Sequence, residues 1–208
     1  MLQNLARIHQ IDLVETGLEK KLAVISPREF VEQTWNRYID FNSPWPMIDY
    51  TAQWLLENLP TDEAFCLVHN DFRNGNFMIN EEGIIAVLDW ELCTLGDPLA
   101  DLGLLMVYWS GPTDEPSGTT FGTTTAKGFL NRGHLAERYA QVSGRDISHL
   151  DYYVAFAYWK LACIIEGVYA RYISGAMGEQ SDTTAFEPFK LQVEASAQKA
   201  ELLLSRLQ

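Results

Sequence analysis

Between Phe65 and Glu91 the sequence leaves the helical spacing that governs the rest of it and runs as short apolar stretches around a tight acidic turn. Phe65 to Val68 and Phe77 to Ile79 come first, then Glu81-Glu82-Gly83, then Ile84 to Leu88 (IIAVL). Two β-rich runs on either side of a short glycine-containing turn predict a hairpin. The flanks are helical. Leu2, Leu5, Ile8 and Ile11 recur at helical spacing. Ser26-Pro27-Arg28-Glu29 predicts a helix start, with Ser26 as cap, Pro27 first and Glu29 reaching back. That helix runs to Phe41, before Ser43-Pro44-Trp45-Pro46 breaks it, and Ile48 to Leu59 forms the next. Asp97 caps another, with Pro98 at its first position. Phe129 to Ser143, Leu150 to Ile173 and Glu187 to Leu207 are also predicted helices, while Gly111 to Gly128 and Gly175 to Thr184 are predicted mobile loops. The expected fold class is α+β, mostly helical, with residues 1–208 as a single unit of helices around one small β insertion.

Composition narrows the partners. With 47% hydrophobic and 21% charged residues the chain has the make-up of a packed protein. Its net charge of −13 excludes a nucleic acid held by general electrostatics. A cationic ligand would be drawn in, although a solubilising acidic surface accounts for the same charge. The longest apolar stretch, Tyr152 to Ile165, is interrupted by Lys160 and is too short to span a bilayer, so no membrane partner is expected. Cys66, Cys93 and Cys163 form no CxxC and no framework, which predicts reduced thiols and a cytoplasmic location.

The chemistry-bearing segment is His69-Asn70-Asp71-Phe72-Arg73-Asn74-Gly75-Asn76, completed by Asp89-Trp90-Glu91. Phosphoryl transfer needs a carboxylate to orient and deprotonate the attacking hydroxyl, and oxygen ligands that hold Mg²⁺ on the phosphates of ATP. Asp71 is the candidate base, and Asn76 and Asp89 are the candidate metal and cofactor ligands. A hairpin turning at Glu82-Gly83 would pair Asn76 with Asp89; a three-residue turn would shift the register by one and keep both at the hairpin mouth. Arg73 is expected either at phosphate or substrate, or paired with Glu91, which could itself support the metal site. His9, His134 and His149 look isolated, with surface or capping roles expected. Trp35, Trp45, Trp54, Tyr153, Phe156, Tyr158, Trp159 and Tyr169 are mostly expected in the core. Trp109 could open a lid, and Cys93 is expected to be inert packing.

His69 to Asn76 and Leu88 to Asp101 (LDWELCTLGDPLAD) resemble the aminoglycoside phosphotransferase and choline kinase superfamily, a protein-kinase-like fold. The resemblance is nearest to the branch that includes the kinase domain fused to some acyl-CoA dehydrogenases. It extends from Leu5-Ala6-Arg7-Ile8-His9 through Trp54-Leu55 to Tyr153-Val154-Ala155-Phe156 and Glu166-Gly167. It implies a carboxy-terminal kinase lobe with Asp71 as base and Asn76 and Asp89 on magnesium, His69 buttressing the loop, and Asp97 and Asp101 stabilising it from the next helix. It further implies a small-molecule hydroxyl acceptor, and in this branch a hydroxylated acyl compound. Two departures stand out. Asn70 replaces the family's usual glycine, a position where Asn tolerates left-handed backbone. The amino-terminal lobe, with its nucleotide-covering strands and phosphate-pairing lysine, is missing, and no GxGxxG or Walker arrangement occurs. Three readings stay open: a kinase lobe, a non-catalytic binding module, or a piece that acts only with the other lobe.

Overall fold

The apolar stripes of the sequence converge on one long helix near the carboxy terminus. The computed structural model describes residues 1–41, 45–61, 65–111, 123–175 and 186–207. Its helices are α1 (Leu2–Ile8), α2 (Pro27–Ile39), α3 (Pro46–Glu57), α4 (Leu99–Tyr108), α5 (Arg132–Ser143), α6 (Leu150–Ile173) and α7 (Glu187–Leu207). At about 1.5 Å per residue α6 is roughly 36 Å long, and it packs against α7, α4, α2 and α3. Its Tyr153, Trp159 and Ala162 are buried, as are Leu102 and Leu105 of α4 and Val193 and Ala197 of α7. Among the described residues no helix is long and apolar enough to cross a membrane.

Local chemistry sets the helix ends. Ser26 Oγ accepts from the Glu29 amide while Glu29 Oε2 accepts from the Ser26 amide, and Pro27 stands at the first position of α2. At α4 the helix begins one residue later than the sequence suggests, and Asp97 Oδ1 still accepts the Leu99 amide at 2.8 Å. Most of the two predicted loops lies outside the described residues. Trp109, considered above as the start of a lid, is buried, and its indole N–H donates to the Leu130 carbonyl at 2.7 Å. Ser110 and Thr124 bond to each other across the same stretch at 2.8 and 3.0 Å.

The strands make two small antiparallel sheets. β1 (Cys66–Val68) pairs with β4 (Thr94–Gly96), and β2 (Phe77–Asn80) pairs with β3 (Gly83–Val87). Three residues, Thr-Leu-Gly, gave β4 no sequence signal. Leu95 of β4 also exchanges backbone hydrogen bonds with the segment before α2, donating to Ala23 at 2.9 Å and accepting from Ile25 at 2.8 Å.

The hairpin register differs from the first expectation. Phe77 faces Val87, Asn80 faces Gly83, and the backbone N–H of Leu88, not of Asp89, donates to the Asn76 carbonyl at 2.8 Å. The reason lies in the turn. Asn80 Oδ1 accepts the Glu82 amide at 2.9 Å, which closes the chain over Glu81-Glu82. Gly83 then takes a φ of +116° as a strand residue, and a bulge beside Met78 and Ile79 absorbs the extra Ile85.

The contact between α4 and α6 leaves no room for a side chain at Gly103. A methyl group there would lie 2.6 Å from the Tyr153 carbonyl oxygen and 2.7 Å from its carbon. Backbone cannot swing aside as a side-chain tip can, so Gly103→Ala is expected to destabilise the protein by about 1–3 kcal/mol in equilibrium denaturation. A loss below a few tenths would show that the two helices can slide apart.

Candidate active site

The 69–76 loop alternates what it buries. His69 and Phe72 are fully buried, while Asp71 and Arg73 face outward with partial exposure. Phe72 packs edge-on to Phe77 at 4.8 Å, and the His69 ring lies 4.6 Å from that of Trp90. The loop is therefore pinned by two aromatic anchors on one side and presents two charged groups on the other.

His69 has a defined tautomer. Its Nε2 lies 2.8 Å from the Leu88 carbonyl, which can only accept, so Nε2 carries the proton. Nδ1 is then free to accept the Asp71 amide at 3.2 Å. The ring thus links the backbone at Asp71 to the backbone one residue before Asp89.

Asp101, fully buried in the first turn of α4, holds the same loop from behind. It accepts the His69 amide at 2.7 Å, the Asn70 amide at 2.6 Å and His9 Nε2 at 3.2 Å. His9 in turn bonds Tyr139 of α5 through Nδ1 at 2.7 Å. His9 is thus the C-cap residue of α1, one of the two roles expected of it, but it is buried rather than at the surface. It closes a buried relay from α5 to the loop, and nothing in a lone histidine after a short helix signals this. Asp97 contributes to the start of α4, and burial raises its carboxyl above the ordinary carboxylate range.

The outward groups are arranged as follows. Arg73 Nε donates to both oxygens of Asp71, at 3.0 and 3.1 Å, and its guanidinium lies 5.3 Å from the centre of the Tyr108 ring. The alternative pairing of Arg73 with Glu91 is not formed, because the shorter reach to Asp71, two residues away, satisfies Arg73 first; Glu91 is exposed, with no ion pair among the described residues. Asn76 Nδ2 donates to the Asp71 carbonyl at 2.9 Å and to Asp71 Oδ2 at 2.7 Å. With its nitrogen committed to acceptors, Asn76 keeps Oδ1 without a partner among the described residues. Asp89 is exposed, holds a left-handed φ of +67°, and its carboxylate makes no hydrogen bond among the described residues. A neutral oxygen on Asn76 and an anionic one on Asp89 make the hard-donor pair that suits Mg²⁺. Among the described residues no three His, Cys, Asp or Glu side chains cluster at metal distance.

Asn70 also takes left-handed backbone, with φ +64°. Its side chain exploits the position: Nδ2 donates to the Leu92 carbonyl and to Thr94 Oγ1, each at 2.9 Å. Asn70→Ala loses both bonds and strains the backbone, so a cost of about 2–3 kcal/mol is expected. Asn70→Gly removes the strain and should recover about 1 kcal/mol of it; equal losses for the two variants in denaturant melts would refute the backbone argument.

Beside the loop lies a cavity of about 480 Å³, lined by Asn70, Phe30 and Tyr38 among others and by three cations, Lys160, Arg37 and Arg171. Tyr153 and Phe156 instead border a much smaller space, and Trp159 is core. Cys93 lines the larger cavity and, like Cys66 and Cys163, is a free thiol. Lys160 Nζ donates to the Asn70 carbonyl at 3.3 Å and lies 4.7 Å from the centre of the Phe30 ring. Burial pushes its pKa down to about 8, against the pull of Asp101 and Asp71. Lys160 had registered only as an interruption in an apolar stretch; a lone lysine on an otherwise buried helix face was the available signal.

A lysine whose pKa is lower folded than unfolded disfavours the folded state while protonated. Replacing it by Met is therefore expected to stabilise the protein at neutral pH by about 1–3 kcal/mol. The unfolded chain binds the extra proton between about pH 8 and 10.5. Wild-type stability should accordingly climb toward that of Lys160→Met across this window, and a constant gap in melting temperature would contradict the assignment.

The fold is kinase-like, as in the phosphotransferases. The chain belongs to the phosphotransferase enzyme family, whose sequence pattern matches residues 1–143. A solved chain from Ralstonia eutropha JMP134, named for aminoglycoside phosphotransferases, superposes with a TM-score of 0.77 at 25% identity, covering 96% of this chain and 63% of that one. Acyl-CoA dehydrogenase family member 10 of Mus musculus is 34% identical over 200 residues, 92% of this chain and 18% of that protein. Family member 11 of Gallus gallus is 33% identical over 216 residues, 99% of this chain and 27% of that protein. The chain thus spans about a fifth to a quarter of these curated relatives.

Proposed function

We propose that this chain is the lobe of an ATP-dependent small-molecule kinase that carries the chemistry of transfer to an acceptor hydroxyl. The observation that carries the reading is the arrangement at Asn76: its amide nitrogen is held by Asp71, so its oxygen and the bare carboxylate of Asp89 are left for a cation beside a carboxylate suited to receive a proton. Bound Mg²⁺ would supply charge neutralisation on the phosphates.

The residues of the chain do the rest. Asp71 orients the acceptor hydroxyl and takes its proton. Arg73 fixes the Asp71 carboxylate through Nε, while its two terminal nitrogens have no hydrogen-bond partner among the described residues and can meet negative charge developing on the transferred group. His69 and Asp101 set the loop backbone on which Asp71 is mounted. An amino-terminal lobe would complete the nucleotide site. The relationship to the acyl-CoA dehydrogenase family members supports a hydroxylated acyl compound as acceptor.

Calorimetric titration with MgATP tests the cation site: binding by the wild-type chain that is lost in Asp89→Ala is expected. In the protein that includes both lobes, Asp71→Asn should lower kcat by about 10²–10⁴-fold while leaving MgATP affinity nearly unchanged. Full activity in Asp71→Asn would sink the role of Asp71 as base, whereas no phosphotransfer by the two-lobed wild-type protein would leave a binding module in its place.

A further inference from the structure

From Asp101 to Ser110 every residue is buried except Tyr108. At that one opening, near the end of α4, the Arg73 guanidinium carbon lies over the Tyr108 ring, 5.3 Å from its centre. Aliphatic residues serve the rest of this helix, with Leu102 and Leu105 fully buried. A tyrosine at the single position that opens toward the candidate base calls for a reason other than packing. Burial raises the pKa of its phenol, against the pull of Arg73, so the ring carries no charge of its own to the site.

Gly75 supplies a second observation. It lies in the short turn Asn74–Asn76, and its φ is not left-handed, so the backbone conformation does not demand glycine. Space does. A methyl group there would lie 2.8 Å from Arg73 Nη1 and 3.6 Å from its Cζ. The obstacle is the far end of a flexible side chain, which would move aside at little cost to the fold. What the missing side chain preserves is therefore the position of the guanidinium.

Arg73 is thus held in three ways. Its Nε donates to both oxygens of Asp71, at 3.0 and 3.1 Å, which fixes one edge of the group. The Tyr108 ring supports its face, and Gly75 leaves the room that Nη1 occupies. An arginine paired at this degree of exposure is weakly restrained by its ion pair alone; a planar guanidinium laid on an aromatic face gains a second restraint. Resting on the phosphotransferase reading above, we infer that Tyr108 is a positioning residue for transfer. Its ring, with the space kept by Gly75, holds Arg73 so that one edge stays on Asp71 and the terminal nitrogens are kept for the transferred phosphoryl group.

Transfer to water reads this arrangement without an identified acceptor. The water oxygen forms a bond to the γ-phosphorus of ATP as the bond from that phosphorus to the β,γ-bridging oxygen breaks. ADP departs with that electron pair, and a proton of the water passes to Asp71. The charge on the transferred group that Arg73 meets is the same whichever oxygen attacks.

The test has two arms. In the 208-residue chain without nucleotide, the Arg73 Nε–H is followed by its nitrogen–proton NMR signal. Slow exchange with solvent is expected in the wild type and in Tyr108→Phe, and faster exchange in Tyr108→Leu and Gly75→Ala. In the protein that includes both lobes, ADP release from MgATP is measured. Tyr108→Leu is expected to lower kcat by on the order of tenfold with KM for MgATP nearly unchanged, the rate equivalent of one partly desolvated cation–π contact. Tyr108→Phe keeps the ring and should recover most of that loss. In an Arg73→Met background Tyr108→Leu should cost little more, since nothing is left to seat. Gly75→Ala leaves α4 untouched and should lower kcat at a nearly wild-type melting temperature, which decides the matter if Tyr108→Leu does not fold. An equal loss in the Arg73→Met background, a Tyr108→Phe variant as slow as Tyr108→Leu, or a loss carried by KM overturns the inference and leaves the kinase reading standing. So does unchanged Nε–H exchange in Tyr108→Leu, or full kcat in Gly75→Ala. MgATP that binds to the two-lobed wild-type protein and is never turned over rejects the kinase reading itself, and the role of Tyr108 falls with it.

Discussion

The structure turns on one buried carboxylate. Asp101 sits in the first turn of α4 with no exposure, and accepts two consecutive backbone amides of the 69–76 loop together with the ring of His9. Charge of this sign is favoured near a helix amino terminus, and the three donors offset much of what burial costs. The geometry it imposes is severe. Two successive amides aimed at one group force the backbone to reverse at Asn70, whose left-handed conformation is the visible result. The reversal turns Asp71 outward while Phe72 goes into the core, so the placement of the candidate base follows from a hydrogen-bond requirement at a residue thirty positions away.

Much of this was legible in the order of residues, and the parts that were not share a cause. Ser26 and Glu29 announce the start of α2 because a capping box is local chemistry, complete within four residues. The ends of α6 and α7 follow from apolar periodicity in the same way. Of the hairpin registers the sequence allows, the structure takes one shifted by a residue from the first, since Glu81-Glu82-Gly83 permits more than one turn and the choice falls to Asn80, which closes the turn through its own side chain. The relay through His9, the strand β4 and the bond of Lys160 went unseen for a different reason. Each depends on a partner distant in sequence: Asp101 and Tyr139 for His9, Cys66 to Val68 for β4, and Asn70 for Lys160. For the site, the residue types at Asp71, Asn76 and Asp89 could be named from the motif; the wall of cations opposite them could not, because it is assembled from α2 and α6.

The contrast between surface and cavity bears on how net charge should be used. A total of −13 describes the long-range field, which governs solubility and encounter. It says little about a cavity in which three side chains of the other sign converge. Local desolvation strengthens such short-range interactions relative to screened surface charges, so the few groups in the wall outweigh the many on the exterior.

The backbone bonds between Leu95 and the segment just before α2 have a mechanical meaning. Through them α2, which supplies Phe30 and Arg37 to the cavity, is fastened to β4, and β4 also receives the side chain of Asn70 through Thr94. One wall of the cavity and the loop that carries Asp71 are thus bolted to a single strand, like the fixed jaw of a caliper. The span of that jaw is written in main-chain hydrogen bonds. Evolution can then exchange the side chains along it, changing what is gripped, while the interval between grip and reacting group stays constant.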